Sequence, residues 1–475
     1  MLLIVWFLFL SGLRWSTRIV TLLVPLALGA GSIRGVSFDG DMRPTFRFRW
    51  SPSQDERLEA FRKGLATPAA THSAAAIELK ETDYPEYRGR NRDGVANMPT
   101  LARDWKAHPP RLLWHHPVGA GYASFAVAGD VAVTIEQRRD NEAVVCYDAA
   151  TGLERWSHEY PAHFQEPLGG PGPRATPTIS GGSVYSLGAT GMLVCLELAT
   201  GKPRWSADLL EDNDNAMWAM SGSPLVFDDV VVVNPGAQRA AAKGRALVAF
   251  DKANGNKVWS SGDTRAGYAS PMLATLAGRR QILIFDGEGL GGYDAKSGSE
   301  LWRYPWEIMN GINVAQPLVL DGDRIFVSSS YGVGCGLLQI SLDQDKWSQK
   351  DLLADEAGNK NKAMRCKISN PVAYQGHVYG MDDGILTCLN LKTGKRSWRD
   401  GRYGHGQLVL SGDLLVVLTE NGKLVLVKAT PEGHQELASI QALEKTRTWN
   451  CPALAGGKVY IRNDAEMACY DLTGN

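Results

Sequence analysis

Amide, hydroxyl and aromatic side chains recur just ahead of a short sequence pattern that usually contains proline. The set comprises Arg174, Thr176, Ser221, Ser223, Tyr268, Ser270, Asn313, Gln316, Asn370, Trp449 and Asn450. Such groups offer hydrogen bonds and stacking surfaces, so together they could orient a polar ligand or a peptide. The alternative is that they satisfy buried backbone groups and water, as polar residues of inner strands commonly do. Both interpretations describe binding or packing, and neither involves a covalent step.

Patterns typical of catalysis or metal binding do not occur in the sequence. There is no nucleophile elbow of the form G-x-S-x-G, no phosphate-binding P-loop and no H-E-x-x-H motif. Residues 211–215 (EDNDN) resemble half of a Ca²⁺ loop but lack the glycine and the closing glutamate of an EF-hand, which favours a solvated loop. His115 and His116 are adjacent, and adjacent strand residues point to opposite faces, which opposes joint ligation of one metal. We therefore predict no catalytic residue and no metal ligand.

A repeated segment must position the candidate binding groups. In each copy an acidic or amide residue is followed four positions later by glycine and eight positions later by tryptophan. The copies are CYDAATGLERW ending at Trp156, CLELATGKPRW at Trp205, AFDKANGNKVW at Trp259, GYDAKSGSELW at Trp302 and CLNLKTGKRSW at Trp398. Self-similarity at a period of roughly 50 residues indicates a solenoid or a propeller.

The proline-containing pattern gives an independent count of the repeats. It opens eight segments, at Pro177, Pro224, Pro271, Pro317, Pro371 and Pro452, with degenerate copies at Phe125 and Leu408. Each unit has room for four short strands, which make one propeller blade. The last unit stops at Asn475 before its tryptophan, whereas Trp114 precedes the first unit.

The strand with Trp114 is therefore predicted to complete the last blade and to close the ring. Closure removes the exposed edges that an open stack of sheets leaves. The sequence thus predicts an all-β fold, an eight-bladed β-propeller with four-stranded blades, with seven blades as the alternative.

The tryptophans and most cysteines of the repeat are interpreted as structural. A ring of ligand contacts is the alternative for the tryptophans, but a group present once in every blade favours packing between blades. The tryptophans are Trp114, Trp156, Trp205, Trp259, Trp302 and Trp398. Four of the seven cysteines share one repeat position, where the symmetry keeps them apart, so we interpret them as small buried strand residues. They are Cys146, Cys195, Cys388 and Cys469.

The composition limits the classes of function. Fifty-one glycines and 23 prolines in 475 residues indicate many short strands and tight turns. Fifty basic and 51 acidic residues leave a formal net charge of −1. Because a nucleic-acid-binding protein normally carries a basic surplus, nucleic acid is not a predicted partner.

The N-terminal 36 residues are predicted to associate with a membrane. Residues 1–13 are almost wholly apolar, and Ile19–Ile33 carries no charge. Since a span needs about 20 residues, we hypothesise that the membrane segment extends upstream of residue 1. Arg14 and Arg18 favour a cytoplasmic loop, which sends the rest of the chain outward. A cleaved signal peptide is the alternative, and in both cases the large domain is exported.

Three regions are predicted along the chain. They are a transmembrane or signal-anchor segment (1–36), a linker with a short helix and a docking loop (37–105), and the propeller (106–475). Within the linker, Ser53 and Glu56 form a capping box ahead of a short amphipathic helix. The small residues of 66–76 indicate a flexible linker, and the turn-forming residues of 83–95 predict a loop that docks on the propeller.

The repeat resembles that of the pyrroloquinoline-quinone (PQQ) repeat β-propellers, whose unit has the form xDxxTGxxxW. The matches are at 148–156, 197–205, 251–259, 294–302 and, with Asn for Asp, 390–398. That family contains PQQ-dependent alcohol and glucose dehydrogenases, and also the BamB outer-membrane assembly factors, which act as scaffolds without PQQ. The stretches 171–177, 401–410 and 462–472 resemble a membrane-anchored bacterial subgroup of such propellers.

The resemblance implies PQQ as a possible cofactor, which the site residues do not support. The alcohol dehydrogenases carry two adjacent cysteines that form a disulfide over the quinone, and this chain has no adjacent cysteines. Their cofactor-stacking tryptophan, their Ca²⁺ ligands and their catalytic Asp have no counterparts in register here. The cofactor is therefore left unassigned.

The main hypothesis is a membrane-tethered, exported propeller that acts as a non-catalytic binding or scaffold protein in the cell envelope. The propeller would lie on the periplasmic side, with envelope proteins or polymers as partners. The alternative is a PQQ-dependent or related oxidoreductase with a diverged site, so enzymatic activity is left open. A polysaccharide-binding module is a third possibility.

Overall fold

The computed structural model describes residues 12–65, 78–239 and 242–474 of the chain. Eight four-stranded antiparallel sheets follow one another around a central channel, with the first strand of each sheet innermost. The predicted eight-bladed propeller is confirmed, and the seven-bladed alternative is wrong.

Within residues 12–65 and 78–125, five elements precede the first complete blade. They are helix α1 (Trp15–Gly31), strands β1 (Ile33–Phe38) and β2 (Pro44–Phe48), helix α2 (Gln54–Gly64) and strand β3 (Arg111–Pro117). The predicted capping box at the start of α2 is present, because Ser53 Oγ accepts from Glu56 N (3.1 Å) and Glu56 Oε2 accepts from Ser53 N (2.6 Å). The predicted flexible linker 66–76 lies outside the described residues.

No helix in the described ranges combines the length and the apolar character that a membrane span requires. Helix α1 has 17 residues.

Seven blades each use four consecutive strands. Blade 1 contains β4 (Ala126–Ala128), β5 (Val131–Arg138), β6 (Asn141–Asp148) and β7 (Glu154–Pro161). A short hairpin follows, formed by β8 (Gln165–Glu166) and β9 (Gly170–Pro171). Blade 2 contains β10 (Thr178–Ser180), β11 (Ser183–Leu187), β12 (Met192–Glu197) and β13 (Pro203–Asp208). Blade 3 contains β14 (Leu225–Phe227), β15 (Val230–Val233), β16 (Leu247–Asp251) and β17 (Lys257–Ser261). Blade 4 contains β18 (Met272–Leu276), β19 (Arg279–Phe285), β20 (Gly289–Asp294) and β21 (Glu300–Pro305).

The later blades repeat the arrangement after a 3₁₀ turn at Met309–Gly311. Blade 5 contains β22 (Leu318–Leu320), β23 (Arg324–Ser329), β24 (Gly334–Asp343) and β25 (Lys346–Asp351). Blade 6 contains β26 (Val372–Tyr374), β27 (His377–Asp382), β28 (Ile385–Asn390) and β29 (Arg396–Arg402). Blade 7 contains β30 (Gln407–Ser411), β31 (Leu414–Leu418), β32 (Lys423–Lys428) and β33 (Glu436–Gln441). Blade 8 contains β34 (Ala453–Ala455), β35 (Lys458–Arg462), β36 (Glu466–Asp471) and, as its outermost strand, β3.

Strand β3 closes the ring as the sequence predicted. It pairs antiparallel with β36, and Trp114 lies opposite Cys469. One sheet thus joins the two ends of the propeller sequence, so the wheel has no open seam.

A small residue lies opposite the repeat tryptophan in the neighbouring strand of the same blade. The pairs are Cys146–Trp156, Cys195–Trp205, Ala249–Trp259, Gly292–Trp302, Cys388–Trp398 and Cys469–Trp114. A bulky indole leaves little room for its cross-strand neighbour, which explains why cysteine, alanine and glycine share this position.

Several of these indoles also donate a hydrogen bond to the next blade. Trp114 donates to Ala149 O (3.2 Å), and Trp156 donates to Leu198 O (2.9 Å). Trp302 differs, because its indole bonds Gln281 within its own blade (2.7 Å). In the first two cases the side chain that closes one blade satisfies a carbonyl in the turn of its neighbour.

The turn before the tryptophan of blade 2 needs glycine for two reasons. In blade 2, Gly201 adopts a φ of +70°, which L side chains rarely adopt. A Cβ at this position would also lie 2.5 Å from the ring of Trp156 in blade 1. The glycine therefore allows both the tight turn and the close approach of the neighbouring indole.

Candidate functional site

The central channel has two different mouths. The front mouth is formed by the residues that lead into the innermost strands. The rear mouth is formed by the turns that follow those strands, such as residues 129–130 and 181–182. The chain N-terminal to the propeller contacts both mouths.

Residues 83–96, here called the plug, enter the channel from the rear mouth. Tyr84 exchanges two backbone hydrogen bonds with Val127 of the innermost strand of blade 1 (2.8 and 2.9 Å). Leu410 N, in the innermost strand of blade 7, donates to Gly94 O (2.8 Å). The plug thus pairs backbone groups at the inner edges of these sheets.

Arg92 holds the plug to blades 3 and 4. Its guanidinium donates to the carbonyls of Ser223 (3.0 Å), Pro271 (2.7 Å) and Pro224. Arg92 is 2% exposed, and its Nε donates to Glu86 (2.7 Å). Burial raises the pKa of Glu86, while the charge of Arg92 opposes that rise. The carbonyls and the carboxylate together compensate a guanidinium that has lost its water.

The part of the plug around Tyr87 forms the floor of a cavity. Arg88 is fully buried and donates to Pro371 O (2.6 Å). The hydroxyl of the neighbouring Tyr87 accepts from Asn370 Nδ2 (2.9 Å), and burial raises the pKa of Tyr87 to about 12. Tyr87 therefore presents a neutral phenol to the space above it at neutral pH.

The residues directly before the proline position form a belt of hydrogen bonds around the channel. From blade 1 to blade 7, a backbone N–H of one blade donates to a side-chain oxygen of the next. The bonds are Ser124–Thr176 (3.0 Å), Thr176–Ser223 (2.8 Å), Ser223–Ser270 (2.9 Å), Ser270–Gln316 (3.1 Å), Gln316–Asn370 (2.8 Å) and Asn370–Gln407 (3.2 Å). Asn450 Nδ2 joins blade 8 to blade 1 through Ala123 O (2.8 Å). The belt holds neighbouring blades together, as buried polar groups commonly do.

The residues three positions before the same proline form a second ring, which lies at the front mouth and is here called the front ring. Seven of the eight line one cavity of ≈ 1140 Å³, counted out to its open side. They are Tyr122, Arg174, Ser221, Tyr268, Val314, Ile368 and Trp449. Two residues of extended chain span about 6.6 Å, so the belt and this ring lie in two layers along the channel.

The cavity wall is mainly aromatic and aliphatic. Trp218, Tyr331 and Ile312 also line it, and Tyr87 lies at its floor. Burial raises the pKa values of Tyr122 and Tyr268 to about 12, so both phenols stay neutral. A wall of rings with a few polar groups is typical of sites that bind an amphipathic ligand or an aromatic side chain.

Two cations line this wall. Arg174 donates to Gly169 O (2.9 Å) and lies 4.8 Å from the centre of the Phe164 ring. Burial lowers the pKa of Arg174 to about 10, and the guanidinium remains charged at neutral pH. Lys367 lies 5.3 Å from the Tyr331 ring centre. Cations beside aromatic faces can hold the polar end of a ligand whose body stacks on the rings.

The β1–β2 hairpin lies across one side of the front mouth. The backbone of Gly40, in the hairpin tip (residues 39–43), donates to Glu420 Oε1 (2.6 Å) and accepts from Lys367 Nζ (2.6 Å). A Cβ at Gly40 would lie 2.0 Å from the His405 ring, so only glycine fits here. His405 is the eighth residue of the front ring, and the hairpin tip covers it instead of leaving it in the cavity.

The sequence-predicted site residues separate into three groups. Arg174, Ser221, Tyr268 and Trp449 line the cavity. The belt contains Thr176, Ser223, Ser270, Gln316 and Asn370. Asn313 donates to Asp286 O (2.8 Å), and Asn450 donates to the backbone of blade 1. Seven of the predicted residues thus make contacts within the fold.

Several cavity residues were not predicted from the sequence. Tyr122 could have been found, because the tripeptide Tyr-Ala-Ser occurs at both 122–124 and 268–270. Trp218, Tyr331 and Lys367 lie in loops outside the proline pattern, so no repeat position marks them.

The cavity does not fit the arrangement that the dehydrogenase resemblance implies for PQQ. Cys451 lines the cavity, but it and the other six cysteines are free and buried. Within residues 12–65, 78–239 and 242–474, no three His, Cys, Asp or Glu side chains lie close enough to hold one metal ion. We therefore assign no reaction step through a quinone.

Comparisons with known proteins place the chain among propellers of this kind. A family model described as "Outer membrane protein assembly factor BamB" matches residues 140–400. A protein described as the outer membrane protein assembly factor BamB of Burkholderia pseudomallei (strain K96243) is 25% identical over 258 residues. The match spans 52% of this chain and 61% of that relative, which is less than two thirds of the relative's length.

Solved structures show the same fold at low sequence identity. BamB from Moraxella catarrhalis is similar with a TM-score of 0.54 at 17% identity, covering 76% of this chain and 99% of that one. A quinohemoprotein alcohol dehydrogenase from Comamonas testosteroni is similar with a TM-score of 0.58 at 13% identity, covering 83% of this chain and 81% of that one. These likenesses concern the fold alone. Because the family match spans more than half of the sequence, the chain belongs to the outer membrane protein assembly factor BamB family of PQQ-repeat propellers.

Proposed function

We propose that the protein is a membrane-tethered, exported propeller that acts as a non-catalytic binding or scaffold protein of the cell envelope. The propeller lies on the periplasmic side, and its partners are envelope proteins. Family membership supports this proposal, together with the printed description of the Burkholderia relative as an outer membrane protein assembly factor.

The observation that carries the proposal is the convergence of seven front-ring residues on one aromatic cavity. The plug occupies the channel from the rear mouth. A partner segment can therefore enter the channel only through the front mouth. There the aromatic rings can accept an apolar side chain, and the two cations can accept a polar group.

The tether is supported by the apolar N-terminal sequence and by its continuity with elements bound to the propeller. Helix α1 leads through Ser32 into the hairpin that contacts the front mouth. A membrane that holds the N-terminal segment would therefore hold the propeller beside it.

Photocrosslinking in intact cells tests the proposal. A photoreactive amino acid replaces Ser221 in the cavity and, as the matched control, Leu437 on the outer strand β33. We expect discrete adducts with envelope proteins at Ser221, identified by mass spectrometry and absent at Leu437. Equal labelling from both positions would contradict a front-mouth binding site.

A second experiment tests the oxidoreductase alternative. Purified full-length protein is mixed with PQQ and Ca²⁺ and passed over a gel-filtration column. The proposal expects no quinone absorbance with the protein peak and no dye reduction with alcohols or sugars. Retained quinone together with substrate-dependent dye reduction would overturn the non-catalytic function.

A further inference from the structure

Exposed apolar side chains are concentrated in the N-terminal part of the described chain. Among the side chains that the structure describes, 21 large hydrophobic ones are exposed, and 11 of these lie between Leu13 and Trp50. They include Ile19, Val20, Leu23 and Val24 of helix α1. An exposed apolar surface of this kind marks an interaction site on a soluble protein or a contact with a membrane.

The β1–β2 hairpin has two chemically different faces. Val36 lies opposite Phe46 in the register, and side chains two positions apart share a face of a strand, so Phe48 follows on the same side. Trp50 extends this side, since its ring stacks on Phe48 with centroids 4.6 Å apart and planes 5° apart. We call these four residues the aromatic face. Their exposed fractions are 42%, 48%, 36% and 71% for Val36, Phe46, Phe48 and Trp50.

The opposite face of the hairpin contacts the propeller. Arg47 lies opposite Gly35 in the register, and its guanidinium pairs with Asp464 (2.6 Å), whose side chain is 2% exposed. At the end of β1, the backbone carbonyl of Phe38 accepts from Arg447 (2.8 Å). The hairpin is thus fixed by polar contacts on one side and presents its rings on the other. This is the reverse of the arrangement that packs a hairpin onto a protein core.

A lipid bilayer matches the surroundings of this face. A single residue, Ser32, separates helix α1 from strand β1, and residues 1–10 outside the described part are apolar in sequence. Tryptophan and arginine favour the headgroup region of a membrane, where the ring and the charge both find suitable partners.

The charges of this segment also suit anionic lipids. Residues 32–52 contain four arginines and only two carboxylates, Asp39 and Asp41 at the hairpin tip. The arginines are Arg34, Arg43, Arg47 and Arg49, of which Arg47 pairs with Asp464 of the propeller. A basic segment with exposed rings binds a negatively charged membrane surface by burying the rings at the headgroup boundary.

We propose that the aromatic face docks into the interfacial layer of a phospholipid bilayer, so that the front mouth of the channel faces the membrane. The inference rests on the proposed membrane tether and adds an orientation to it. The tip that touches Lys367 and Glu420 belongs to the same hairpin, so lipid contact on one face fixes the position of the cavity on the other. A ligand or partner segment would then enter the cavity from the membrane side.

Site-specific labelling of the full chain tests the docking. All seven native cysteines are buried, so one added cysteine reacts selectively with an environment-sensitive fluorophore. The label is placed by Trp50→Cys on the aromatic face and, as control, by Leu437→Cys on the outer strand β33. The protein is reconstituted with vesicles of phosphatidylethanolamine and phosphatidylglycerol that carry a lipid-borne quencher.

We expect the label at position 50 to be quenched at least about twofold more strongly than the label at 437, because an interfacial side chain lies roughly 5–10 Å into the headgroup boundary. Energy transfer to a lipid-bound acceptor measures the orientation. It should be stronger from Met217→Cys, beside the front-mouth residue Trp218, than from Asp229→Cys in a rear-mouth turn.

Three outcomes would overturn the inference. If the chain floats with the vesicles but the label at 50 is quenched no more than the label at 437, the tether stands and the docking fails. If the label at 50 is shielded equally without lipid, a second copy of the chain covers the face. If the chain does not float with the vesicles, both the tether and the docking fail.

Discussion

Trp114 lies directly opposite Cys469 in the strand pair that closes the propeller, although the two residues stand at opposite ends of the propeller sequence. The indole is 4% exposed and donates to Ala149 O of blade 1 (3.2 Å). One side chain therefore connects the last blade, which it completes, with the first.

Removing this indole should weaken the closure of the propeller between blades 8 and 1. We expect Trp114→Ala to lower the free energy of unfolding by about 3–5 kcal/mol, because a large buried side chain leaves a cavity and an unpaired carbonyl. Urea denaturation followed by circular dichroism measures the change. Leu112→Ala in the same strand is the control, since Leu112 is 49% exposed and should cost much less. If the two substitutions lower the free energy of unfolding equally, the closure of the propeller does not depend on the indole.

The repeat glycine allows a separate test of backbone and packing. Gly201→Ala introduces a side chain at a φ of +70° and places a Cβ 2.5 Å from Trp156. Gly181→Ala has a φ of +56° but no atom within 4 Å. We expect about 1–2 kcal/mol of destabilisation at Gly181, from the backbone alone, and about 2–5 kcal/mol at Gly201, where overpacking is added. If thermal unfolding shows the same loss for both, the approach of the indole contributes nothing.

The sequence predicts the propeller because six of its eight blades repeat the same local arrangement. Tryptophan, the small residue opposite it and the glycine that admits it recur at fixed spacing, so one blade determines the others. The positions of the polar groups before the proline cannot be predicted in the same way. Ser221 and Ser223 are two residues apart and chemically identical, yet one lines the cavity and the other joins the belt. Only the convergence of the blades at the channel separates the two layers.

The position of the plug inside the channel was beyond sequence reasoning for a related reason. Arg88 and Arg92 occur in the polar, turn-forming stretch that predicts a loop docked on the propeller, but that pattern does not predict where the loop docks. Both side chains are buried because the channel supplies carbonyl acceptors from blades that are distant in sequence. No local pattern in residues 83–96 encodes those acceptors.

Arg92 should be essential for plug binding. We expect Arg92→Ala to destabilise the protein by about 3–5 kcal/mol, because it leaves Glu86 without its partner and several buried carbonyls without donors. Arg90→Ala, at an exposed position in the same loop, serves as the control. Thermal unfolding measures the loss, and limited proteolysis of residues 83–96 shows whether the plug has left the channel. An Arg92 variant as stable as the Arg90 variant would mean that the plug is held by its backbone pairs alone.

The pair of His115 and Glu466 makes the stability of the β3–β36 strand pair, which closes the propeller, depend on pH. The hydrogen bond that the His115 ring donates to Glu466 (2.7 Å) raises the pKa of His115 above its ordinary value of about 6.5. Its stabilisation is therefore fully present below pH ~6.5 and is lost as the pH rises through the folded value. The pKa of Glu466 is lowered despite burial, so its own contribution is lost only in acid.

We expect the difference in melting temperature between the native protein and His115→Gln to be larger at pH ~6 than at pH ~8.5. The effect should stay within about 1 kcal/mol, because the histidine side chain is 42% exposed and solvent screens the pair. His108→Gln, a substitution outside this pair, should leave the pH dependence unchanged. A difference in melting temperature that grows with pH would contradict the raised pKa of His115.

Glu420 links the hairpin tip to the cavity wall. Its Oε1 accepts from Gly40 N (2.6 Å) and from the indole of Trp449 (2.7 Å), while Oε2 accepts from His405 N (3.1 Å). Glu420→Gln removes the charge and replaces one acceptor by an NH₂ group, so at least one of these donors loses its partner. We expect faster hydrogen exchange in residues 33–48, measured by mass spectrometry, with little change in the blade strands. Glu211→Gln, at an exposed position, is the matched control. If exchange in the hairpin is unaffected, the contacts of Lys367 and Arg47 suffice to hold it, and access to the cavity does not depend on this carboxylate.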